Sequence, residues 1–143
     1  MQLFDSSLFK CIMYCKFFMV IIVWGLTPLL IPAAALPFFG LQTLEAHIAW
    51  LRVWGLIVLA AFFLYLYVFL RPRTRLAGYG MLFAVLDNGG LGMVLLVMTF
   101  VRGWPWGVWA NIPFQLFFGY WFLRFYHANR TGLAAVALHG RSE

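Results

Sequence analysis

A carboxylate stands near the centre of a long apolar run. Ala84-Val85-Leu86-Asp87-Asn88-Gly89-Gly90 lies inside Leu76–Val101, a segment otherwise built from residues that avoid water. About 20 predominantly apolar residues cross the hydrocarbon core of a bilayer as a helix, so the run reads as a membrane span. An aspartate inside such a span costs roughly 2.5–3.5 kcal/mol on insertion scales, and it faces a bundle interior where a partner is available. Gly80, Ala84, Asn88 and Gly92 recur every four residues, which draws one stripe of small side chains along the helix. Such a stripe lets neighbouring backbones approach closely. Gly80, Ala84 and Gly92 are therefore the expected helix-packing positions, with Asp87 beside them and the other helices gathered around.

The rest of the chain agrees with that class. Of 143 residues, 65% are hydrophobic and only 10% charged, which places the chain among integral membrane proteins and leaves no room for a soluble domain of useful size. A net charge of +6 would suggest nucleic acid as a partner for a soluble protein. Here the basic residues lie at helix ends, so membrane topology accounts for them and no nucleic acid is implied. Cys11 and Cys15 are too few for a disulfide framework and have neither zinc-like nor redox-like spacing.

The expected fold is all-α: a polytopic, four-helix transmembrane bundle preceded by a short interfacial helix. Residues 1–16 place Phe4, Leu8, Cys11, Ile12 and Cys15 at helical spacing, with Gln2, Asp5, Ser6 and Lys10 largely opposite. That is an amphipathic segment suited to the membrane interface, and its juxtamembrane cysteines are acylation candidates or plain packing residues. The spans are expected at 17–36, 47–70, 76–101 and 105–126, followed by a basic tail, 127–143. Pro28 and Pro32 interrupt the first span; each removes a donor and frees the carbonyl four residues earlier, those of Trp24 and Pro28. Thr43 is placed to cap the second helix and Pro105 to open the fourth. Arg52 lies shallow enough in the second span to snorkel towards the interface.

Orientation follows from the basic residues beside the spans. Lys10, Lys16, Arg71, Arg73, Arg75, Arg124, Arg130 and Arg141 fall on one side of a four-span arrangement, and only Arg52 and Arg102 on the other. Lysine and arginine favour the cytoplasmic side, so both termini are expected in the cytoplasm of a bacterial-type inner membrane. The sequon at Asn129 then lies on the side that is not glycosylated.

Depth selects the polar groups that can meet. Asp87 lies roughly 16 Å into its helix at 1.5 Å per residue. Thr27 lies at about the same level and Gln115 within roughly a turn of it. Thr27, Asp87, Asn88, Gln115 and the proline-freed carbonyls are thus a candidate intramembrane polar layer. In one reading Asp87 takes up a proton or holds a ligand head group; in the other it donates a hydrogen bond to the broken first helix. Glu45, His47 and Arg52 form a second, outward-facing cluster able to meet an anionic head group or a partner subunit. No catalytic triad, paired metal-binding carboxylates or phosphate-cradling loop is present, and His47, His127 and His139 do not pair at one level. No catalytic residue and no metal are assigned. Aromatic residues make up 20% of the chain and could line a groove for a lipid, quinone or carotenoid, although no cofactor is required.

The proline-broken first helix, Leu36-Pro37-Phe38-Phe39-Gly40, the opening Leu51-Arg52-Val53-Trp54-Gly55 and the basic turn Arg71-Pro72-Arg73 together resemble the small four-helix bacterial membrane proteins grouped as DoxX-like or BphX-like. The resemblance covers about residues 17–126. It implies the four-helix architecture and, for some members, a role as membrane subunits of redox assemblies. The function expected overall is that of a non-catalytic accessory or scaffolding subunit of a larger membrane complex, one able to hold a lipid or quinone-like molecule. Its partners would be membrane lipids, other integral membrane subunits or further copies of itself. The alternative is a small proton-coupled carrier or membrane enzyme centred on Asp87.

Overall fold

The computed structural model describes residues 3–41, 45–103 and 110–139, with backbone only at 45–47 and 136–139. Four long helices carry the fold, and no strand occurs among the described residues. They are α1 (Ser7–Leu30), α2 (Glu45–Leu70), α3 (Arg75–Arg102) and α4 (Ile112–His139). Ser7–Leu30, Ile48–Leu70 and Arg75–Arg102 are each long and apolar enough to cross a membrane. Helices suit that role because every backbone group between their ends is satisfied internally.

The local chemistry explains where each helix starts and stops. Ser6 accepts from the Phe9 N–H at 3.1 Å and caps α1, and Thr74 does the same for α3 through Ala77, also at 3.1 Å. Such caps satisfy donors that the first helical turn leaves unpaired. α1 ends at Leu30 because Ile31 precedes Pro32 and takes an extended ψ of 128°, as residues before proline do. The chain then makes a 3-10 helix, Ala33–Phe39, closed by Gly40 at φ 72°. Gly103, at φ 61°, ends α3 in the same left-handed way. A side chain is rarely accommodated at such angles.

Two boundaries differ from the sequence expectation. Ser7–Phe18 is not a separate helix but runs without a break into the apolar stretch that follows, as one helix to Leu30. At the other end, 127–139 is not a tail apart from the bundle; α4 continues in one piece to His139. Pro105 and Thr43 lie outside the described residues.

Two helices on opposite sides of the bundle carry a π-wound stretch, Met19–Leu26 in α1 and Val85–Gly90 in α3. Such stretches are rare and commonly sit at functional sites. The one in α1 directly precedes Pro28, where a missing donor disturbs the regular ladder.

The helices pack in sequence order around a ring, each antiparallel to the next. Phe17 meets Phe62 and Phe69 near one end of the α1–α2 pair. At its other end a Cβ on Gly55 would lie 2.7 Å from the Gly25 carbonyl oxygen. α3 and α4 come equally close, since a Cβ on Gly119 would lie 2.7 Å from both Cα and N of Gly89. The stripe on α3 is shared between its two neighbours: Gly80 faces Leu64 and Val68 of α2, and Gly92 faces Gln115 and Leu116 of α4. Ala84 is fully buried between them.

One end of this ring is filled and the other is hollow. Phe4, Phe9, Phe69 and Phe125 interlock at the α1 start, with Phe9 and Phe125 edge to face at 4.8 Å. Edge-to-face pairs add about 0.5–1.5 kcal/mol beyond their area burial. Asn129, also buried, ties α4 to the α2–α3 turn by donating to the carbonyls of Pro72 and Thr74. Arg73 and Asp5 form an ion pair across the same end. Beyond that turn α2 packs on Arg75–Ala84 but not closely on Leu91–Arg102, so the two helices diverge and leave a cavity.

Candidate functional site

The cavity occupies about 460 Å³ between α1, α2, α3 and the start of α4. Its walls are apolar: Val20, Val23 and Ile31 from α1 and its end, Ile57, Val58 and Ala61 from α2, and Phe83, Leu91 and Leu95 from α3. Leu36 and Phe39 of the 3-10 helix line it near the end of α1. Polar groups gather towards its inner end, where Lys16, Tyr65 and Asp87 come from three different helices.

Lys16 is the residue at which all four helices meet. It is 1% exposed, although it lies roughly 13 Å into α1 at 1.5 Å per residue. Its Nζ donates to Asn88 Oδ1 on α3 at 2.5 Å. Three rings surround the same nitrogen, with centroids at 4.6 Å for Trp24 of α1, 4.7 Å for Tyr65 of α2 and 5.0 Å for Phe118 of α4. A cation over a desolvated ring face gains up to about 2 kcal/mol. That attraction offsets part of the several kcal/mol that removing an ammonium from water costs.

Asp87 is reached through the same group of residues. Tyr65 donates its hydroxyl hydrogen to Asp87 Oδ2 at 2.8 Å. Asn88 Nδ2 donates to the Ala84 carbonyl at 2.7 Å and the Tyr65 oxygen at 3.1 Å, and approaches Asp87 Oδ2 at 3.4 Å. The Asn88 amide can point only one way here, because an ammonium needs its oxygen and the acceptors need its nitrogen. Lys16 and Asp87 make no direct ion pair; Asn88 and Tyr65 stand between them.

The residues expected to form an intramembrane layer are placed as follows. Thr27, Asp87 and Gln115 all line the cavity, and Asn88, fully buried, lies directly behind Asp87. They are not bonded to one another as a layer, Asp87 and Asn88 excepted. Thr27 donates to the Ile22 carbonyl of its own helix at 2.7 Å. Gln115 is 7% exposed, and its Oε1 has no hydrogen-bond partner among the described residues. Asp87 turns to Tyr65 rather than to the broken first helix.

That broken helix is served by Arg52. Its guanidinium donates to the carbonyl of Pro28 at 2.5 Å and of Ile31 at 2.7 Å. The carbonyl that Pro32 frees is therefore taken by an arginine, and Arg52 caps α1 instead of snorkelling outward. A cation is favoured at this position by the partial negative charge of a helix C-terminus. The side chains of Glu45 and His47, the other members of the expected outer cluster, lie outside the described residues.

Sequence reasoning passed over Lys16, Tyr65, Trp24 and Asn111. Trp24 donates its indole N–H to Asn111 Oδ1 at 2.8 Å, tying the middle of α1 to the start of α4 beside the cavity. Lys16 carried a detectable signal: Phe9, Ile12, Met13, Lys16 and Val20 share one helical face, and all are buried. Leu8, Cys11 and Cys15 lie on the exposed side of the same helix. Among the described residues no three histidine, cysteine or acidic side chains cluster as metal ligands. Neither a family model, nor a curated protein, nor a solved structure matches this chain.

Proposed function

We propose that this chain is an integral membrane protein, with all four helices crossing, whose bundle holds a lipophilic small molecule as a non-catalytic subunit of a larger membrane assembly. The observation that carries the reading is the cavity itself: apolar walls, a polar inner end and a volume of about 460 Å³. Small-molecule sites have that composition, predominantly apolar with a few placed polar groups, and occupy roughly 300–1,000 Å³. The divergence of α2 and α3 supports access from the lipid side, so a ligand would not need to pass through water. Large apolar side chains such as Phe63, Tyr79 and Phe100 face outward on α2 and α3, which suits lipid or neighbouring subunits equally.

The test is purification in mild detergent followed by native mass spectrometry of the wild type and of Ala61→Trp, which fills the cavity. A lipophile retained by the wild type and lost from a folded Ala61→Trp supports the reading. Equal retention by both chains overturns it. Co-purification of larger subunits in fixed amounts supports the accessory role, and a strict monomer counts against it.

A second reading, a proton-coupled carrier centred on Asp87, is favoured by the connection of two ionisable side chains through Asn88 and Tyr65. Ionisable residues within spans commonly mark ion or substrate pathways. Proton-dependent flux in proteoliposomes, lost in Asp87→Asn, would select it over the first.

A further inference from the structure

Asp87 has two carboxylate oxygens, and the bundle engages only one of them. We infer that the other, Oδ1, receives the protonated amine of a lipophilic cation whose apolar body lies between α2 and α3. The inference rests on the reading of the cavity as a binding site and names the head of its ligand.

The first observation is the open oxygen. Oδ2 accepts from Tyr65 and is approached by Asn88, whereas Oδ1 has no hydrogen bond and no ion pair among the described residues. Nor is Oδ1 sealed off. Gln115 Oε1 is the one sealed side-chain nitrogen or oxygen left without a partner among the described residues, so Oδ1 keeps accessible surface. Asp87 is half-buried, and that surface faces the cavity. Phe83, Asp87, Leu91 and Leu95 recur every four residues and all line it, which makes this column the cavity face of α3.

The second observation is the unequal access to the two charges. Lys16 is 1% exposed, bonded to Asn88 and covered by three rings, so a head group cannot touch its ammonium. Coulomb energy falls with distance. A cation in contact with Oδ1 therefore gains more from Asp87 than it loses to Lys16, which stands behind Asn88 and Tyr65. An anionic head meets the reverse, a carboxylate at contact and a shielded ammonium. A hydroxyl makes the hydrogen bond without the attraction between opposite charges, and N–H donors on a cation combine both. A neutral amine arriving from lipid reaches the same pair wherever Asp87 holds a proton: the N–H bond forms as the carboxyl O–H breaks. The rings of Trp54 and Phe83 in the wall also suit a cation.

Competition between heads of one tail length tests the assignment. The purified full chain in phosphatidylcholine nanodiscs is exposed to equimolar hexadecylamine, hexadecyltrimethylammonium, hexadecanol and palmitate. Native mass spectrometry reads the bound ratios, and empty nanodiscs correct for partition into lipid. The net charge of +6 works against non-specific uptake of cations.

We expect hexadecylamine to exceed hexadecanol and palmitate by about tenfold, the factor that corresponds to 1.4 kcal/mol. Asp87→Asn should lower the amine to the level of the alcohol while the alcohol still binds, and that retained binding reports a folded variant. If Asp87→Asn binds nothing, the ranking in the wild type decides alone. Hexadecanol or palmitate binding as well as the amine overturns the head assignment, as does an unchanged amine preference in Asp87→Asn. Equal binding of hexadecyltrimethylammonium, which has no N–H, overturns the contact with Oδ1. In these cases the cavity remains a binding site. Binding of no member of the series overturns the assignment together with the reading of the cavity.

Discussion

Lys16 and Asp87 are connected through one amide: Asn88 accepts from the Lys16 ammonium with its oxygen and directs its nitrogen towards the Tyr65–Asp87 pair. The positive charge belongs to α1 and the negative charge to α3, helices that stand across the ring from each other. Each charge makes its shortest hydrogen bond with another helix, Lys16 to Asn88 of α3 at 2.5 Å and Asp87 from Tyr65 of α2 at 2.8 Å. The arrangement makes the centre of the bundle a test of whether the two charges act as a unit.

Removing one member should cost far more than removing both. Asp87→Leu alone leaves the buried Lys16 ammonium without its counter-charge, and Lys16→Met leaves half-buried Asp87 without one. Because the link runs through Asn88, each loss should fall below the roughly 3–5 kcal/mol that breaking a directly bonded buried pair costs. The double variant Lys16→Met/Asp87→Leu removes both desolvation costs and should recover most of that loss. Thermal unfolding in a fixed detergent, read for all four chains, checks this. Additive losses would mean that the two residues are independent.

Asn88→Leu should be almost as harmful as the loss of Lys16, although it alters no charge. It leaves the ammonium without its hydrogen-bond acceptor, and orphaning a buried charged group costs more than the roughly 1–3 kcal/mol typical of a neutral one. The measurement is accumulation in membranes alongside unfolding temperature. A wild-type result would show that the three rings suffice to hold Lys16.

The α3–α4 contact should reject any side chain at Gly119. A Cβ there meets backbone atoms of Gly89, which have no rotamer by which to withdraw. Gly119→Val should cost about 1–3 kcal/mol or more, the usual range for overpacking. Gly132→Ala is the control, since nothing lies within 4 Å of a Cβ at that position; it should leave stability unchanged or slightly raised.

Arg52 should not be replaceable by lysine. Its two terminal nitrogens reach two different carbonyls, Pro28 and Ile31, and a lysine keeps the charge without that fork. We expect Arg52→Lys to lose about half, and Arg52→Met nearly all, of a contribution of about 1.5–3 kcal/mol per charged hydrogen bond. Proteolysis near residues 31–41, compared across the three chains, gives a local readout. Equal protection in all three would mean that the end of α1 holds without a cap.

How much of this was legible beforehand depended on contrast. Asp87 and Asn88 stood out because everything around them was apolar, and the four-residue stripe around Asn88 placed them on a packed face. Arg75 and Arg102 bracketed α3 closely for the same reason. Lys16 lacked such contrast. Asp5, Ser6 and Lys10 come shortly before it, so a lysine at that point looked like the boundary of a helix that in fact begins at Ser7. Its burial was decided by Trp24, two turns on in the same helix, and by Tyr65, Phe118 and Asn88, which are distant in sequence and met only in the fold. Arg52 was hidden differently: one of its two carbonyl partners, Pro28, could be deduced from Pro32, but neither Ile31 nor the direction in which the guanidinium would turn. The continuation of α4 past His127 was masked by polarity, since a helix leaving the apolar part of a bundle loses the periodic signal that marked its beginning.

The division of the two charges between α1 and α3 also has a consequence for the order of biosynthesis. Lys16 emerges from the ribosome 72 residues ahead of the asparagine that receives its hydrogen bond. Through that interval the amino-terminal hairpin must carry an ammonium with only Trp24 and Tyr65 to shelter it, so in the membrane setting proposed above its first insertion is provisional. Arrival of α3 then fixes it in place. A nascent chain halted before Asn88 should therefore remain extractable from the bilayer, whereas one halted after α4 should not.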